Sequence, residues 1–155
     1  MTQIGNARLL YMQTDASQWG NWFNQLLQID HLLASHPRFH IASNDAFLYF
    51  FSENVDSGQY WCARDVVGFD SALPPSFGTF DSFATSVYSE EVDSSILADS
   101  DLLIETVKTL RYKYKDESLA VTWRIVISTI DCPHDIIDAD LIKMPKVTFQ
   151  FFKSL

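Results

Sequence analysis

Five side chains that could hold a metal ion lie close together towards the end of the sequence: Cys132, His134, Asp135, Asp138 and Asp140. Thiolate, imidazole and carboxylate groups are all ligands for zinc and similar ions. Their spacing, however, matches neither a paired-cysteine motif nor a His-Glu-x-x-His motif, and acidic residues around a proline are typical of an exposed turn. We therefore favour a turn over a metal site here, and we predict no metal and no cofactor.

The remaining basic and nucleophilic side chains do not form a catalytic set. His31, His36 and His40 are a second cluster, but Pro37 separates the last two, so a solvated histidine is the simpler interpretation. Cys62 lies in an apolar run, where burial would make its thiol unreactive. The glycines stand alone in the sequence, which argues against a phosphate-binding loop. We predict no catalytic residues and no enzymatic activity.

Two helices are predicted from apolar residues that recur every three or four positions. The first follows Ser17, which can cap it, and ends before Pro37. The second begins after Asp99, whose carboxylate suits the N-terminus of a helix. Residues 110–115 also alternate as a strand would, so a hairpin is the alternative there, and we favour the helix. A further short helix is predicted over 80–88.

Aromatic and β-branched residues predict strands in the rest of the chain. These strands cover 9–12, 38–42, 46–52, 59–67, 119–130 and 147–151. Ser43, Asn44 and Asp45 are predicted to form a turn, and 73–78 a loop because it contains two prolines. No internal repeat is visible. Together the elements predict a single α+β domain over residues 1–155, with a mainly antiparallel, curved sheet packed by one or two helices.

Composition also bears on location. The longest unbroken apolar stretch is Ala46 to Phe51, far shorter than the roughly 18 residues that cross a bilayer, so we predict no membrane partner. Residues 1–10 lack the basic flank and apolar run of a secretory signal. Two distant cysteines are too few for a disulfide scaffold. These observations predict a cytoplasmic protein.

Negative charge is concentrated in one part of the chain. The net charge is −9, and the segment from Asp81 to Asp101 has six acidic residues and no basic one. Such a segment repels phosphate groups, so we predict no nucleic-acid partner and instead a basic protein as the partner. The predicted contacts are carboxylates beside an aromatic anchor: Glu90, Glu91, Asp93 and Asp81, with Tyr88 as the anchor.

Three functions fit these expectations. In size, acidity and lack of catalytic motifs the chain is similar to bacterial immunity proteins, which implies an inhibitor that neutralises a basic toxin or enzyme such as a nuclease. The first alternative is a small-molecule-binding protein or enzyme with an aromatic-lined pocket. Its candidate lining is aromatic: Trp19, Trp22, Tyr49, Trp61 and Trp123. The second alternative is an acidic secretion chaperone with an exposed apolar groove.

Overall fold

A computed structural model describes residues 1–69, 72–128 and 146–154 of the chain. In these residues eight strands form one antiparallel sheet, and two α-helices pack on it. The strands are β1 (Thr2–Ile4), β2 (Ala7–Asp15), β3 (Phe39–Phe50), β4 (Gln59–Gly68), β5 (Phe77–Ser82), β6 (Thr85–Val92), β7 (Leu119–Ser128) and β8 (Lys146–Lys153). The helices are α1 (Trp22–Ser35) and α2 (Ser100–Lys113), preceded by short 3₁₀ helices at Ala16–Asn21 and Ser94–Ala98. The predicted α+β fold is confirmed.

The order of strands across the sheet, β1-β6-β8-β7-β3-β4-β2-β5, reveals an internal repeat. Each half of the chain runs strand, strand, 3₁₀ helix, α-helix, strand, strand. β3 and β7 pair at the centre, and the first strand of each half pairs with the other half, β1 with β6 and β5 with β2. Each 3₁₀ helix begins at an aspartate, Asp15 or Asp93, whose carboxylate accepts a hydrogen bond from the amide two residues on. The expectation of no repeat is therefore wrong for the structure, because the halves share a pattern of elements rather than of side chains.

Both α-helices cover the same face of the sheet. Leu26 and Ile29 of α1 and Leu103 and Val107 of α2 are buried in one apolar cluster with alternate residues of β3, β7 and β8. This alternation follows from the two-residue period of a strand, which sends every second side chain towards the helices. No helix in the described part of the chain is long and apolar enough to cross a membrane.

An ion pair fixes α1 to the sheet. Arg64 on β4 donates from Nε and Nη2 to the two carboxylate oxygens of Asp30 on α1, at 2.6 and 2.9 Å. Two parallel hydrogen bonds of this kind hold both partners in one geometry. The same guanidinium donates from Nη1 to the backbone carbonyl of Asp45, so it also bridges β4 and β3.

Three local predictions are wrong. Ser43, Asn44 and Asp45 do not form a turn between two strands, because β3 continues through them with a shift of register between Ile41 and Ala46. Such an irregularity bends a strand without ending it. The predicted helix over 80–88 is instead the end of β5 and the start of β6.

The third wrong prediction concerns the start of the first helix. Ser17 does not cap α1, which begins at Trp22 after Asn21 with no side-chain cap. The preceding 3₁₀ helix is capped by Asp15, whose side chain accepts from the Ser17 amide and hydroxyl. The second helix begins as predicted, with the Asp99 carboxylate accepting from the Leu102 amide. Residues 110–113 belong to α2, so the helix is confirmed over the hairpin.

Candidate functional site

The face of the sheet opposite the helices, which we call the open face, has no helix packed on it in the described residues. Its side chains are those that alternate with the helix-side core: Leu9, Phe47, Tyr49, Ala63 and Val126 form a second buried cluster there. A small cluster of this kind on an uncovered face leaves the surrounding apolar side chains accessible. The open face is therefore a candidate binding surface.

Six aromatic rings meet on the open face, and we call them the Trp61 cluster: Tyr11, Tyr49, Phe51, Trp61, Phe80 and Phe152. Trp61 is at the centre of this cluster. Its ring stacks on Tyr11 with centroids 3.8 Å apart, and Phe51 and Phe80 approach its ring edge to face at 4.7 and 5.6 Å. The indole Nε1 donates to Gln13 Oε1 at 3.1 Å, which fixes the orientation of the ring. Stacked and edge-to-face pairs at these separations are favourable arrangements.

A glycine makes room for this stack. Tyr11 on β2 lies opposite Gly78 on the edge strand β5. A Cβ atom at Gly78 would come within 2.6 Å of the Tyr11 hydroxyl oxygen, so only glycine lets the phenol ring lie flat over the strand. The Tyr11 ring then reaches Trp61. The position of Gly78 thus explains how the cluster is held on the edge of the sheet.

The Trp61 cluster surrounds a recess of about 300 Å³. Its walls are mostly apolar, with two hydroxyl groups at the edge: Tyr49, Phe51, Trp61, Phe80 and Phe152, with Ser82 and Thr122. Phe51 and Phe80 are 38% and 46% exposed, so the rings are accessible from solvent. This volume is at the low end of the roughly 300–1,000 Å³ typical of ligand pockets, and it suits a small ligand of one or two rings.

Arg124 lies beside the recess on β7. It is only 6% exposed, and it donates from Nη1 to the Tyr49 hydroxyl at 2.8 Å and from Nε to Gln150 Oε1 at 2.6 Å. Its guanidinium also lies over the rings of Phe47 and Phe152, with its central carbon 4.8 and 5.7 Å from the ring centroids. A cation is therefore buried among the aromatic side chains that line the open face.

Two carboxylates lie towards the other end of the same face. Asp65 accepts from the Ser43 hydroxyl at 2.6 Å, and the buried Oδ1 of Asp45 has no hydrogen-bond partner among the described residues. Burial raises the pKa of Asp45 above its ordinary value, and the nearby negative charge of Asp65 raises it further. A hydrogen bond to Ser128 and the positive charge of Arg124 lower the pKa, but by less.

The predicted lining of a single aromatic pocket is divided between the two faces. Trp19 and Trp123 are buried in the helix-side core, and Trp22 packs against it. Tyr49 and Trp61 lie on the open face. Side chains fill the interior between helices and sheet, and the recess is on the other side. The sequence signal that could have found it is the two-residue spacing of Phe47, Tyr49 and Phe51, which places three rings on one face of the sheet.

Two of the residues predicted to contact a basic partner are in contact with basic side chains of this chain itself. Glu90 accepts from Lys113 and from the Tyr114 hydroxyl, both at the end of α2. Asp81 accepts from Arg8 Nε at 2.7 Å. The hydrogen bonds from Lys113 and then from Tyr114 hold the pKa of Glu90 below its ordinary value, and Arg8 does the same for Asp81. Internal pairs thus neutralise part of the acidic segment.

Of the other three predicted contacts, only Tyr88 lies beside one of these, since the Tyr88 ring and the Glu90 carboxylate both contact Tyr114. Tyr88 donates to Glu117 at 2.8 Å on the helix side, and Asp93 caps the second 3₁₀ helix. Glu91 projects from the opposite side of β6 and lies 3.8 Å from Lys146. Whether these residues contact a partner stays a prediction, but they do not form one patch.

Replacing Glu90 by Gln is expected to flatten the acid limb of the stability curve. Because the fold lowers the pKa of Glu90, its contribution is complete above the unfolded value of about 4.5 and is lost as pH falls through the folded value. We expect Glu90→Gln to cost about 0.5–1 kcal/mol at pH 7, since Lys113 is exposed, and less at pH 3. Urea unfolding at both pH values measures this. Glu91→Gln on the same strand is the control, and an equal loss from both variants at pH 7 would contradict the assignment.

The remaining chemical candidates add no site in the described residues. Cys62 is buried, and burial raises the pKa of its thiol to about 12, which agrees with an unreactive cysteine. His36 Nδ1 lies 3.0 Å from the Leu32 carbonyl, so it belongs to the end of α1. Within the described ranges no group of three His, Cys, Asp or Glu could hold a metal ion. The cluster from Cys132 to Asp140 lies outside the described residues.

Comparison by sequence finds no relative: no protein-family model and no curated protein matches the chain. Comparison of folds does. The chain is similar to EcmrR in a cryo-EM structure of an EcmrR–DNA complex, with a TM-score of 0.70 and 12% identity over 99% of this chain and 56% of that chain. It is also similar to the crystal structure of the EcmrR C-terminal domain, with a TM-score of 0.66 and 9% identity over 99% of this chain and 94% of that one.

Two further structures share the fold. One is described as a bacterial transcription regulation protein from Staphylococcus aureus MU50, with a TM-score of 0.59 and 10% identity over 99% of this chain and 96% of that one. The other is SAV2435 bound to tetraphenylphosphonium, with a TM-score of 0.57 and 10% identity over 99% of this chain and 92% of that one. At these identities the likeness establishes the fold, and the chain spans about half the length of the EcmrR chain in the DNA complex.

These comparisons correct the functional expectations. The expected immunity or inhibitor function, with a basic protein as partner, is wrong, because the similar structures are a regulator in complex with DNA, its C-terminal domain and related proteins. The exclusion of nucleic acid is overturned as well, because the chain shares its fold with a protein in a complex with DNA. An acidic net charge does not separate such domains from inhibitors, since a domain can work in a DNA-bound assembly without its own surface contacting phosphates.

Proposed function

We propose that this chain is a ligand-binding regulatory domain that takes a small aromatic compound into the recess of the Trp61 cluster. The observation that supports this most directly is the recess itself, of about 300 Å³ and walled by Tyr49, Phe51, Trp61, Phe80 and Phe152 on a face with no helix over it. An accessible cluster of rings costs stability in water unless it serves a contact. A planar ligand would stack on these rings and remove their exposed surface from water.

The fold comparison supports the regulatory part of this proposal. One similar protein is described as bound to tetraphenylphosphonium, whose groups are aromatic, and another as a bacterial transcription regulation protein. We propose that the domain works in an assembly on DNA and in the cytoplasm, and that binding of the ligand changes that assembly rather than the ligand. The expectation that the chain is not an enzyme remains part of this proposal.

The test is calorimetric titration with naphthamide, an uncharged two-ring probe. We expect saturable binding of one probe per chain, with a dissociation constant below about 1 mM. Thr122 at the edge of the recess and Thr148 elsewhere on the open face offer a matched pair of variants. Thr122→Trp should fill the recess and weaken binding at least tenfold, whereas Thr148→Trp should leave it within about twofold.

Two results would count against the proposal. One is the absence of saturable binding to the wild-type chain up to the solubility of the probe. The other is an equal effect of the two tryptophan variants, which would place the probe outside the recess. Circular dichroism spectra of both variants show whether the fold is kept.

A further inference from the structure

Arg124 is a buried cation that touches no anion among the described residues, although its charge reaches Asp45 and lowers the pKa of that carboxyl. Its side chain is on the open face, since Arg124 pairs with Tyr49 on one side and Gln150 on the other, and both partners are neutral. Among the described residues Arg124 forms no salt bridge with any carboxylate. Buried charges are normally paired, because an unpaired one loses its hydration without recovering it elsewhere.

The guanidinium also keeps unused donor capacity. Arginine has five N–H donors, and the two hydrogen bonds of Arg124 use Nε and Nη1. Nη2 has no hydrogen-bond partner in the described part of the chain, and it is not among the buried polar atoms that lack one, so it remains open to solvent. A planar group with two oxygen atoms is the natural complement of such a donor.

The position of Arg124 relative to the recess determines where the acidic group of a bound ligand would lie. Arg124 contacts Tyr49 and Phe152, two of the residues that wall the recess. Asp45, on the other hand, is two residues along β3 from Phe47, over whose ring the Arg124 guanidinium lies, so it is away from Phe51 and the recess but within reach of the Arg124 charge, which lowers its pKa. Arg124 thus lies between the carboxylates of this face and the recess, and the described residues that line the recess include no carboxylate.

We infer that the ligand of the recess is an aromatic anion, such as an aromatic carboxylate, whose ring stacks in the Trp61 cluster and whose acidic group binds Arg124. This inference rests on the proposed function and narrows it. It also separates this chain from SAV2435, which is described with a cation bound. A cation in the recess would meet no carboxylate among the lining residues and would have Arg124 next to it.

The experiment compares three probes with the same ring system and an anionic, neutral or cationic group at the same ring carbon: naphthoate, naphthamide and naphthylmethylammonium. We expect naphthoate to bind wild-type chain about tenfold more tightly than naphthamide, and the ammonium compound to bind more weakly than either. Calorimetry at low ionic strength gives the three dissociation constants. This measurement needs no variant and therefore does not depend on how well a variant folds.

Two substitutions test the role of Arg124 itself. Arg124→Gln should reduce the affinity for naphthoate to that for naphthamide and leave naphthamide within about threefold. Gln150→Glu keeps Arg124 and the size of its neighbour but places a carboxylate 2.6 Å from Nε, where Gln150 Oε1 now accepts. It should stabilise the protein while removing most of the preference for naphthoate, because the cation is then paired internally.

The outcomes separate this inference from the proposed function. Equal affinity for naphthoate and naphthamide, or tightest binding of the ammonium compound, would overturn the anion inference and leave a site for aromatic compounds. Preference for naphthoate that survives in both Arg124→Gln and Gln150→Glu would overturn the role of Arg124. Saturable binding of none of the three probes would overturn the proposed function as well.

Discussion

Replacing Trp61 by Ala is expected to weaken the binding of naphthamide by at least tenfold while the chain stays folded. Trp61 supplies the largest ring of the recess and holds Tyr11, Phe51 and Phe80 around it. Without the indole, a bound probe loses its stacking partner, and the three remaining rings lose their common contact. Calorimetric titration of the variant measures the effect.

The cost of the same substitution to stability should be small by comparison. Trp61 lies at an accessible site with one hydrogen bond, to Gln13, so we expect a loss of about 1–2 kcal/mol in the free energy of unfolding. Tyr112 is a suitable control, because it is 68% exposed on α2, and Tyr112→Ala should change neither quantity. If Trp61→Ala bound the probe as tightly as wild-type chain, the Trp61 cluster would not be the binding site.

The fold class was predictable from local pattern. The alternation of Val147, Phe149 and Phe151 with polar residues gives β8, and the caps and spacing around Asp99 give α2. These features depend on neighbours in the sequence. The pairing of β1 with β6 and of β5 with β2 does not, because it joins residues about 80 positions apart, as between Gln3 and Ser86, and nothing local encodes it.

The candidate site was only partly predictable, for a related reason. The aromatic residues were recognised as possible pocket lining, but periodicity does not say which face of a sheet a helix will cover. Trp61 and Trp123 are alike in type and strand context, yet they project from opposite faces of one sheet. Phe80 was missed because the strand containing it was predicted as a helix, and Arg124 because its charge gave no sign of burial.

The distribution of charge along the sequence was a poor guide to function, because it shows where charged residues occur and not which of them contact each other. The acidic segment contains pairs such as Glu90 with Lys113 and Asp81 with Arg8, whose bases are remote in sequence. In each such pair the two opposite charges largely cancel, which weakens the electrostatic field at the surface that a partner would approach. What the sequence could give was the sign of the net charge, and this sign is shared by protein classes of quite different function.

Replacing Trp123 by Ala is expected to destabilise the chain more than any change on the open face. Trp123 is 0% exposed, stacks on Phe50 with centroids 4.4 Å apart, and lies 5.6 and 6.0 Å from Phe149 and Phe151. Its Nε1 donates to the Ser52 carbonyl at 3.0 Å, so the substitution also removes the donor of this partly buried hydrogen bond. We expect a loss of about 3–5 kcal/mol in the free energy of unfolding, measured by urea denaturation.

This loss is a large part of the roughly 5–15 kcal/mol by which a domain is normally stable, and Trp123 joins the two repeats, since β7 pairs with β3 of the first half. A cooperative unfolding transition that moves as a whole would show that the halves form one core. Trp123→Phe keeps a ring without the indole N–H and should cost roughly 1–2 kcal/mol, which separates lost packing from the lost hydrogen bond. A cost below about 1 kcal/mol for Trp123→Ala would contradict its place in the core, because removing a tryptophan side chain from a packed interior typically costs about 3–5 kcal/mol.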